Sequence, residues 1–231
     1  MDAPLGFFAS SIGKKVVMAV SGVVLFGYVV AHMLGNLQVY LGPAALNHYA
    51  ESLRQVPALL WTARVTLLVA AIAHVWSAAS LTRMNQRARP IGYRERDNRA
   101  STYASRTMRW SGVILLLFVV YHLLHLTFGA RRVHPEFVRG DVYHNVVTGF
   151  EHPLVSAFYI AAMLALGLHM YHGVWSMMQT VGLSHPRYEP WRKRFAAAIT
   201  AIVVAGNISF PVAVLSGFVR ERPPAAARAA R

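Results

Sequence analysis

The sequence predicts an all-α integral membrane protein, a bundle of five transmembrane helices in one domain over residues 1–231. Of the 231 residues, 55% are hydrophobic and only 14% are charged, whereas soluble domains carry about 25% charged residues. The apolar residues form long runs, and about 20 such residues in a helix cross the hydrocarbon of a bilayer. The predicted spans cover about residues 16–40, 58–82, 110–128, 153–180 and 195–219.

Helix-breaking and polar residues lie between the predicted spans, as a bilayer requires of irregular backbone. A Gly-Pro pair ends the first span, and residues 44–56 have the pattern of a short amphipathic helix at the membrane surface. Pro57 and Pro153 open the second and fourth spans, because proline is favoured at the first helical position. The Ala/Pro/Arg-rich tail, residues 220–231, is predicted to be mobile.

The distribution of Lys and Arg explains the net charge of +14 without a nucleic-acid partner, because these residues lie mainly between the apolar spans. The segment before the first span holds two, the second loop eight and the fourth loop four, which is 14 of 23. The opposite side holds the other nine. Positive residues favour the cytoplasmic side, so the N-terminus is predicted to be cytoplasmic.

The chain contains no cysteine. Disulfides, Cys-ligated iron–sulfur clusters and covalently attached c-type haem are therefore excluded, since each needs cysteine. Histidine remains as the main candidate metal ligand, and the sequence contains 11 histidines.

Four predicted spans carry a histidine within the apolar run: His32, His74, His122 and His169. An ionisable side chain in hydrocarbon is costly and usually functional, although a lone one can serve an interhelical hydrogen bond. At 1.5 Å of rise per residue, the four histidines fall at two depths in the membrane, an inner and an outer level that are roughly 2–12 Å apart. His74 and His169 share the inner level, and His32 and His122 share the outer level.

Two imidazoles that face each other from separate helices can bind one haem iron from both sides. Zinc would need three or four ligands at one depth, which two separate pairs do not supply. The pattern therefore predicts two b-type haems, each held by two histidines. His125 and His172 lie three residues after His122 and His169 and share a helix face with them, so the depths alone leave both alternatives open.

A series of short motifs accompanies these histidines along most of the chain. They are Ser10-Ser11-Ile12-Gly13-Lys14-Lys15, Met18-Ala19, Ser21-Gly22, Gly35-Asn36-Leu37 after His32, Asn47-x-Tyr49-Ala50, Ser111-Gly112 before His122, and Gly173-Val174-Trp175-Ser176 after His169. In this combination the sequence resembles the five-helix, di-haem cytochrome b subunit of succinate:quinone oxidoreductases and fumarate reductases.

The resemblance implies which histidines bind haem: the ligands of that family fall on His32, His74, His122 and His169, with the first paired to the third and the second to the fourth. It also implies a bacterial inner-membrane enzyme of the tricarboxylic acid cycle. In that enzyme a flavoprotein with FAD interconverts succinate and fumarate, and an iron–sulfur subunit docks at the cytoplasmic face. This chain would anchor both subunits and pass electrons through its haems to a quinone, with menaquinone expected.

The quinone-binding residues are less determined than the haem ligands. Glu51 falls near the outer haem level and could exchange a proton with a quinol, or it could be a solvated carboxylate paired with Arg54. Ser11 and Lys15 fall at the inner face, where a second quinone or the iron–sulfur subunit could bind.

Two other functions fit the sequence pattern less well. One is the haem b anchor of another membrane oxidoreductase, of the hydrogenase or formate dehydrogenase type. The other is an ion transporter that uses its buried histidines.

Overall fold

The structure, a computed structural model, describes residues 6–88 and 103–221. Every regular element in these residues is helical, which confirms the predicted all-α class. The seven α-helices are α1 (Ser11–Asn36), α2 (Pro43–Arg54), α3 (Pro57–Arg87), α4 (Tyr103–His122), α5 (Val142–Glu151), α6 (Pro153–Thr180) and α7 (Glu189–Leu215).

Five of the helical segments are long and apolar enough to cross a membrane, as the sequence predicts. They are Ser11–Leu41, Pro57–Arg87, Tyr103–Thr127, Pro153–Thr180 and Pro186–Leu215. Three of them, which start at Ser11, Tyr103 and Pro186, begin several residues before the predicted span. The reason is that the backbone hydrogen bonds of a helix continue into polar residues beyond the hydrocarbon. Residues 222–231 of the tail, whose mobility is a prediction, and residues 89–102 of the basic second loop lie outside the described residues.

Two shorter helices lie between the long ones. The predicted amphipathic helix is present as α2, whereas α5 falls in a segment that the sequence pattern assigns to a polar connection. Asp141 caps α5, its side chain accepting a hydrogen bond from the amide of His144 at 3.0 Å. The side chain of Asn47 joins the two helices: it donates to Asp141 at 2.9 Å and accepts from the amide of Tyr143 at 2.9 Å.

The chain forms two compact units. The first unit contains Met1–Ala31, Pro57–Arg109 and Leu168–Ala201, and the second contains His32–Val56, Trp110–Gly167 and Ile202–Arg231. The core of the first unit is formed where α6 packs on α7, with Val174, Met178 and Ala196 buried against partly buried aromatic and aliphatic side chains. The single domain of the sequence analysis stays a prediction.

Close helix contacts in the second unit depend on small residues. A Cβ at Gly206 of α7 would overlap the side chain of Met33 of α1, and a Cβ at Gly35 would overlap the ring of Tyr49. Tyr40 also donates a hydrogen bond to the hydroxyl of Ser209 at 2.6 Å. The absence of a side chain at Gly35 therefore leaves room for the ring of Tyr49.

The helix that carries His122 changes its winding directly after that residue. Leu123–Thr127 form a π-helical turn, in which the amide of Phe128 donates to the carbonyl of Leu123 at 2.8 Å. Such turns are rare and are often found at functional sites, because they redirect the side chains that follow.

Candidate functional site

In the first unit, the structure brings together the two histidines that the sequence places at the inner level. The ring centres of His74, on α3, and His169, on α6, are 6.2 Å apart, and the ring planes differ by 57°. Both side chains are partly buried. We call this arrangement the first-unit pair.

The protonated nitrogen of His74 follows from its hydrogen-bond partners. Its Nδ1 lies 3.1 Å from the backbone carbonyl of Met18 and 3.3 Å from the hydroxyl of Ser21, both on α1. A carbonyl oxygen only accepts hydrogen bonds, so in the neutral ring Nδ1 carries the hydrogen and Nε2 keeps its lone pair. Gly22 of α1 faces the same ring, since a Cβ there would lie 3.4 Å from Cε1 of His74, in ordinary contact.

In the second unit, the structure brings together the other predicted pair. The ring centres of His32, on α1, and His122, at the end of α4, are 5.9 Å apart, with an angle of 85° between the ring planes. The Nδ1 of His122 lies 3.3 Å from the hydroxyl of Tyr159 on α6. We call this arrangement the second-unit pair.

The two additional histidines lie in different environments. His125 is buried, and its Nδ1 lies 2.9 Å from the same Tyr159 hydroxyl. His172 packs its ring against Trp175, with ring centres 5.7 Å apart, and its Nδ1 has no hydrogen-bond partner within the described residues.

Several buried polar atoms of the first unit lack a hydrogen-bond partner among the residues that the structure describes. They belong to Ser77, His172, Trp175, Arg192 and Thr200. Arg192 stands out because the residue is 1% exposed and its Nε and Nη1 atoms have no hydrogen-bond partner within the described residues. Burying N–H groups that have no hydrogen-bond partner is costly, so this position favours an anionic partner.

Glu51 lies in the second unit beside an open depression of about 480 Å³, which is also lined by Asn47, Arg54, Gln55 and Gly140. Its side chain is exposed. Ser11 and Lys15 are exposed in the first turns of α1, four residues apart on one face.

Two residues of these sites are not identified by the sequence pattern. Tyr159 has no motif of its own, and its relation to His122 depends on the packing of α6 against the π-helical turn. Arg192 falls in a basic run that indicates loop orientation, yet it lies in α7 and is buried. In both cases the missing information is tertiary.

A comparison with known protein families gives evidence that is independent of the geometry described above. The family model described as succinate dehydrogenase/fumarate reductase transmembrane subunit matches residues 83–208. The match covers more than half of the chain and includes His122 and His169, while His32 and His74 precede it. No curated protein and no solved structure matches the chain. By this match, the chain belongs to the family of succinate dehydrogenase/fumarate reductase transmembrane subunits.

Proposed function

We propose that this chain is the cytochrome b subunit of a succinate:quinone oxidoreductase, which anchors the flavoprotein and iron–sulfur subunits and delivers electrons to a quinone. The dicarboxylate site belongs to the partner flavoprotein, so this chain contributes no catalytic residue to it. The proposal goes beyond family membership by assigning two b haems, a quinone and two partner subunits.

The observation that carries the proposal is the spacing of the two histidine pairs. A metal–imidazole bond is about 2 Å long and the ring centre lies about 1 Å further, so two imidazoles that held one iron between them would have ring centres about 6 Å apart. The two pairs have ring-centre distances of 6.2 Å and 5.9 Å. We therefore assign His74 with His169, and His32 with His122, as the ligands of two haems.

The hydrogen bonds of the rings also support this assignment. A histidine that binds a metal usually donates its other ring N–H to a fixed acceptor, which orients the ring. Nδ1 of His74 has the Met18 carbonyl as such an acceptor, and Nδ1 of His122 has the Tyr159 hydroxyl. In His74 and His122, Nε2 is then the nitrogen available to iron.

The unpaired polar atoms of the first unit fit the acidic groups of the same cofactor. Haem carries two propionate carboxylates, and a guanidinium binds a carboxylate through two parallel hydrogen bonds. Arg192 is one helical turn before Ala196, which packs against Val174 on α6. We assign Arg192 as a propionate partner, with the indole N–H of Trp175 as an additional donor.

Each haem, when bound, supplies a one-electron Fe(III)/Fe(II) couple. The residues of the chain hold the rings in place, fix the ring tautomers and keep water away from the iron. No other electron carrier is required of this chain, which contains no cysteine.

For the quinone, we propose Glu51 as the residue that exchanges protons with the quinol. The depression beside it combines a carboxylate with the amide of Asn47 and the guanidinium of Arg54. Such donors suit the carbonyl oxygens of a quinone such as menaquinone, and the carboxylate suits its protons. Ser11 and Lys15 are proposed for a second quinone or for the iron–sulfur subunit.

We infer the membrane and topology from the charge distribution and the family. The chain is multi-pass, and the Lys and Arg count favours a cytoplasmic N-terminus. We propose that the membrane is the inner membrane of a bacterial cell. The soluble partners would then dock on the side that carries Ser11 and Lys15. Membership of the family disfavours the hydrogenase-type anchor and the ion transporter.

Difference spectra of isolated membranes test the proposed function. Succinate added to membranes that contain the whole complex should reduce b-type haem, and a quinone analogue should reoxidise it. Malonate, an inhibitor of succinate oxidation by its likeness to succinate, should prevent the reduction. Haem that formate or hydrogen reduces and succinate does not would contradict the proposal.

A further inference from the structure

A buried group of polar side chains lies beside the second-unit pair, and only its contact with His122 enters the proposed function. At its centre, the hydroxyl of Tyr159 lies 3.3 Å from Nδ1 of His122 and 2.9 Å from Nδ1 of His125. His125 is 1% exposed and Tyr159 is 6% exposed. Water therefore does not compete for these hydrogen bonds.

The surrounding residues fix the position of His125. The π-helical turn begins directly after His122 and contains His125. On one side the ring of His125 lies against His134, with ring centres 4.7 Å apart. On another side it lies against Gly149, where a Cβ would come within 2.7 Å of its Cε1 atom. The ring thus cannot turn away from Tyr159 without displacing its neighbours.

The position of His134 is fixed in turn by two hydrogen bonds. Its Nδ1 lies 3.2 Å from the carbonyl of His125, and its Nε2 lies 3.0 Å from the hydroxyl of Thr148. Because a carbonyl only accepts, Nδ1 of His134 is the donor to the carbonyl of His125. The hydroxyl of Thr148 in turn donates to the carbonyl of His144 at 2.9 Å. The structure therefore stabilises the segment that holds His125 independently of His122.

The single hydroxyl proton of Tyr159 gives these hydrogen bonds a direction. If Nε2 of His122 binds iron, its Nδ1 carries the ring hydrogen and donates to the oxygen of Tyr159. The hydroxyl of Tyr159 is then free to donate to His125, whose Nδ1 must accept. The result is an ordered chain of hydrogen bonds from His122 to Tyr159 to His125.

We propose that Tyr159 and His125 are positioning residues that set the orientation and electron density of His122, and through it the reduction potential of the haem in the second unit. This inference rests on the proposed function, in which His122 is an axial ligand. An acceptor at Nδ1 increases the basicity of the ligating nitrogen and favours ferric iron. Donation from Tyr159 to His125 makes the Tyr159 oxygen a stronger acceptor, because linked hydrogen bonds polarise one another.

The test is a redox titration of the purified complex, followed by haem absorbance, for the natural chain and Tyr159→Phe. The phenylalanine keeps the ring contacts with Phe118 and Phe150, whose ring centres lie 5.0 Å and 4.8 Å from that of Tyr159. We expect Tyr159→Phe to retain two haems and to shift one potential upward. The ferric-to-ferrous ratio at a fixed potential should fall by up to about tenfold, which is about 59 mV for one electron.

Tyr143→Phe is the matched control. Tyr143 is also a buried tyrosine of the second unit, and its hydroxyl donates to the backbone carbonyl of Arg220 at 3.0 Å. Its loss should leave both potentials unchanged. An equal shift in both variants would show a general effect of removing a buried hydroxyl and would overturn the inference.

Two variants of His125 provide a test if Tyr159→Phe does not assemble. His125→Leu removes the acceptor of the Tyr159 hydroxyl and should raise the same potential by a smaller amount. His125→Gln offers a side-chain carbonyl in its place and should return the potential toward that of the natural chain. Equal potentials in His125→Leu and His125→Gln would overturn the inference.

The same titration separates this inference from the proposed function. A natural chain with fewer than two haems would contradict the assignment of the ligands. Two haems in the natural chain, with both potentials unchanged in Tyr159→Phe, would contradict only the role of Tyr159 and His125.

Discussion

The Nδ1 atom of His74 lies 3.1 Å from the backbone carbonyl of Met18, a residue 56 positions earlier in the chain. This contact joins α3 to α1 within the first unit and fixes which nitrogen of His74 carries the hydrogen. Because the acceptor is a backbone atom, substitution of Met18 does not remove it. The orientation of His74 depends instead on how closely α1 can approach.

Gly22 lies where α1 faces His74, and larger side chains at this position test how closely α1 must approach. A Cβ at Gly22 would lie 3.4 Å from Cε1 of His74, which is ordinary contact, so Gly22→Ala should retain both haems. Gly22→Leu would push the imidazole out of position and should lose the first-unit haem. Haem-to-protein ratios of the two variants check this prediction.

Val23→Leu is the control for Gly22→Leu. Val23 is the next residue of the helix and is exposed, so the same larger side chain should leave the haem content unchanged. Retention of both haems in Gly22→Leu would show that the approach of α1 does not position His74.

The buried position of Arg192 leads us to expect that its charge affects the reduction potential of the first-unit haem. If it pairs with a propionate, Arg192→Gln removes a cation near the iron and should lower the reduction potential of that haem only. Arg192→Lys keeps the charge but loses the two-pronged geometry, so it should recover the potential in part. A redox titration of the purified complex measures both variants.

Arg194 is the matched control, since it lies on the same helix two residues later and is exposed. Arg194→Gln should leave the potentials unchanged. If Arg192→Gln behaves in the same way, the buried guanidinium has another partner.

We expect His134 and His144, which lie outside the spanning segments, to change the stability in opposite directions as the pH changes. Burial lowers the pKa of His134, with the carbonyl of His125 and Glu136 acting against it. Burial also acts to lower the pKa of His144, but hydrogen bonds to the Glu136 carbonyl and Glu221, with the charges of Glu221 and Asp141, raise it overall.

The contribution of His144 is therefore complete below its ordinary pKa of about 6.5 and is lost as the pH rises through the raised value. Below that pH, the natural chain should exceed His144→Gln in free energy of unfolding by at most about 1 kcal/mol, the size of a surface ion pair. This difference should shrink as the pH rises. Thermal unfolding in detergent at several pH values measures this difference. A difference that grows with pH would contradict the assignment.

For His134 the sign is reversed, because its folded-state pKa is lowered. The stability that neutral His134 contributes should fall as the pH decreases below about 6.5. His134→Gln should accordingly make the unfolding temperature less sensitive to acid. An unchanged acid sensitivity would mean that His134 does not titrate in this range.

The predicted topology can be tested directly because the chain has no cysteine. Ser184, in the fourth loop, and Arg132, in the third, are both exposed. An impermeant thiol reagent added to intact cells should label Arg132→Cys and not Ser184→Cys. Lysis should make Ser184→Cys reactive. The reverse labelling pattern would contradict the predicted topology.

Much of the fold could be predicted from the sequence, because membrane spans depend on local composition. The five long helices and α2 follow from apolar runs, prolines and glycines. The helix α5 could not be predicted in this way: it is short, it lies in a polar segment, and its ends depend on Asp141 and on the distant Asn47. Hydropathy likewise could not predict the helix ends, because these extend beyond the apolar runs.

The histidine pairs could be predicted from depth, since position along a spanning helix is one coordinate that the sequence provides. The structure brings His74 to His169 and His32 to His122, while their role as haem ligands stays a prediction. The partners of the rings could not be predicted. Tyr159 becomes a hydrogen-bond partner of His122 only through helix rotation and packing, which spacing along one chain segment does not specify.

The haem content of the purified natural chain and of its histidine variants tests the central claim most directly. We expect two haems per natural chain and one in each of His74→Ala, His169→Ala, His32→Ala and His122→Ala. We expect His125→Ala and His172→Ala to retain two. A ratio near one in the natural chain, or two haems retained in His74→Ala or His122→Ala, would contradict the assignment of the two pairs.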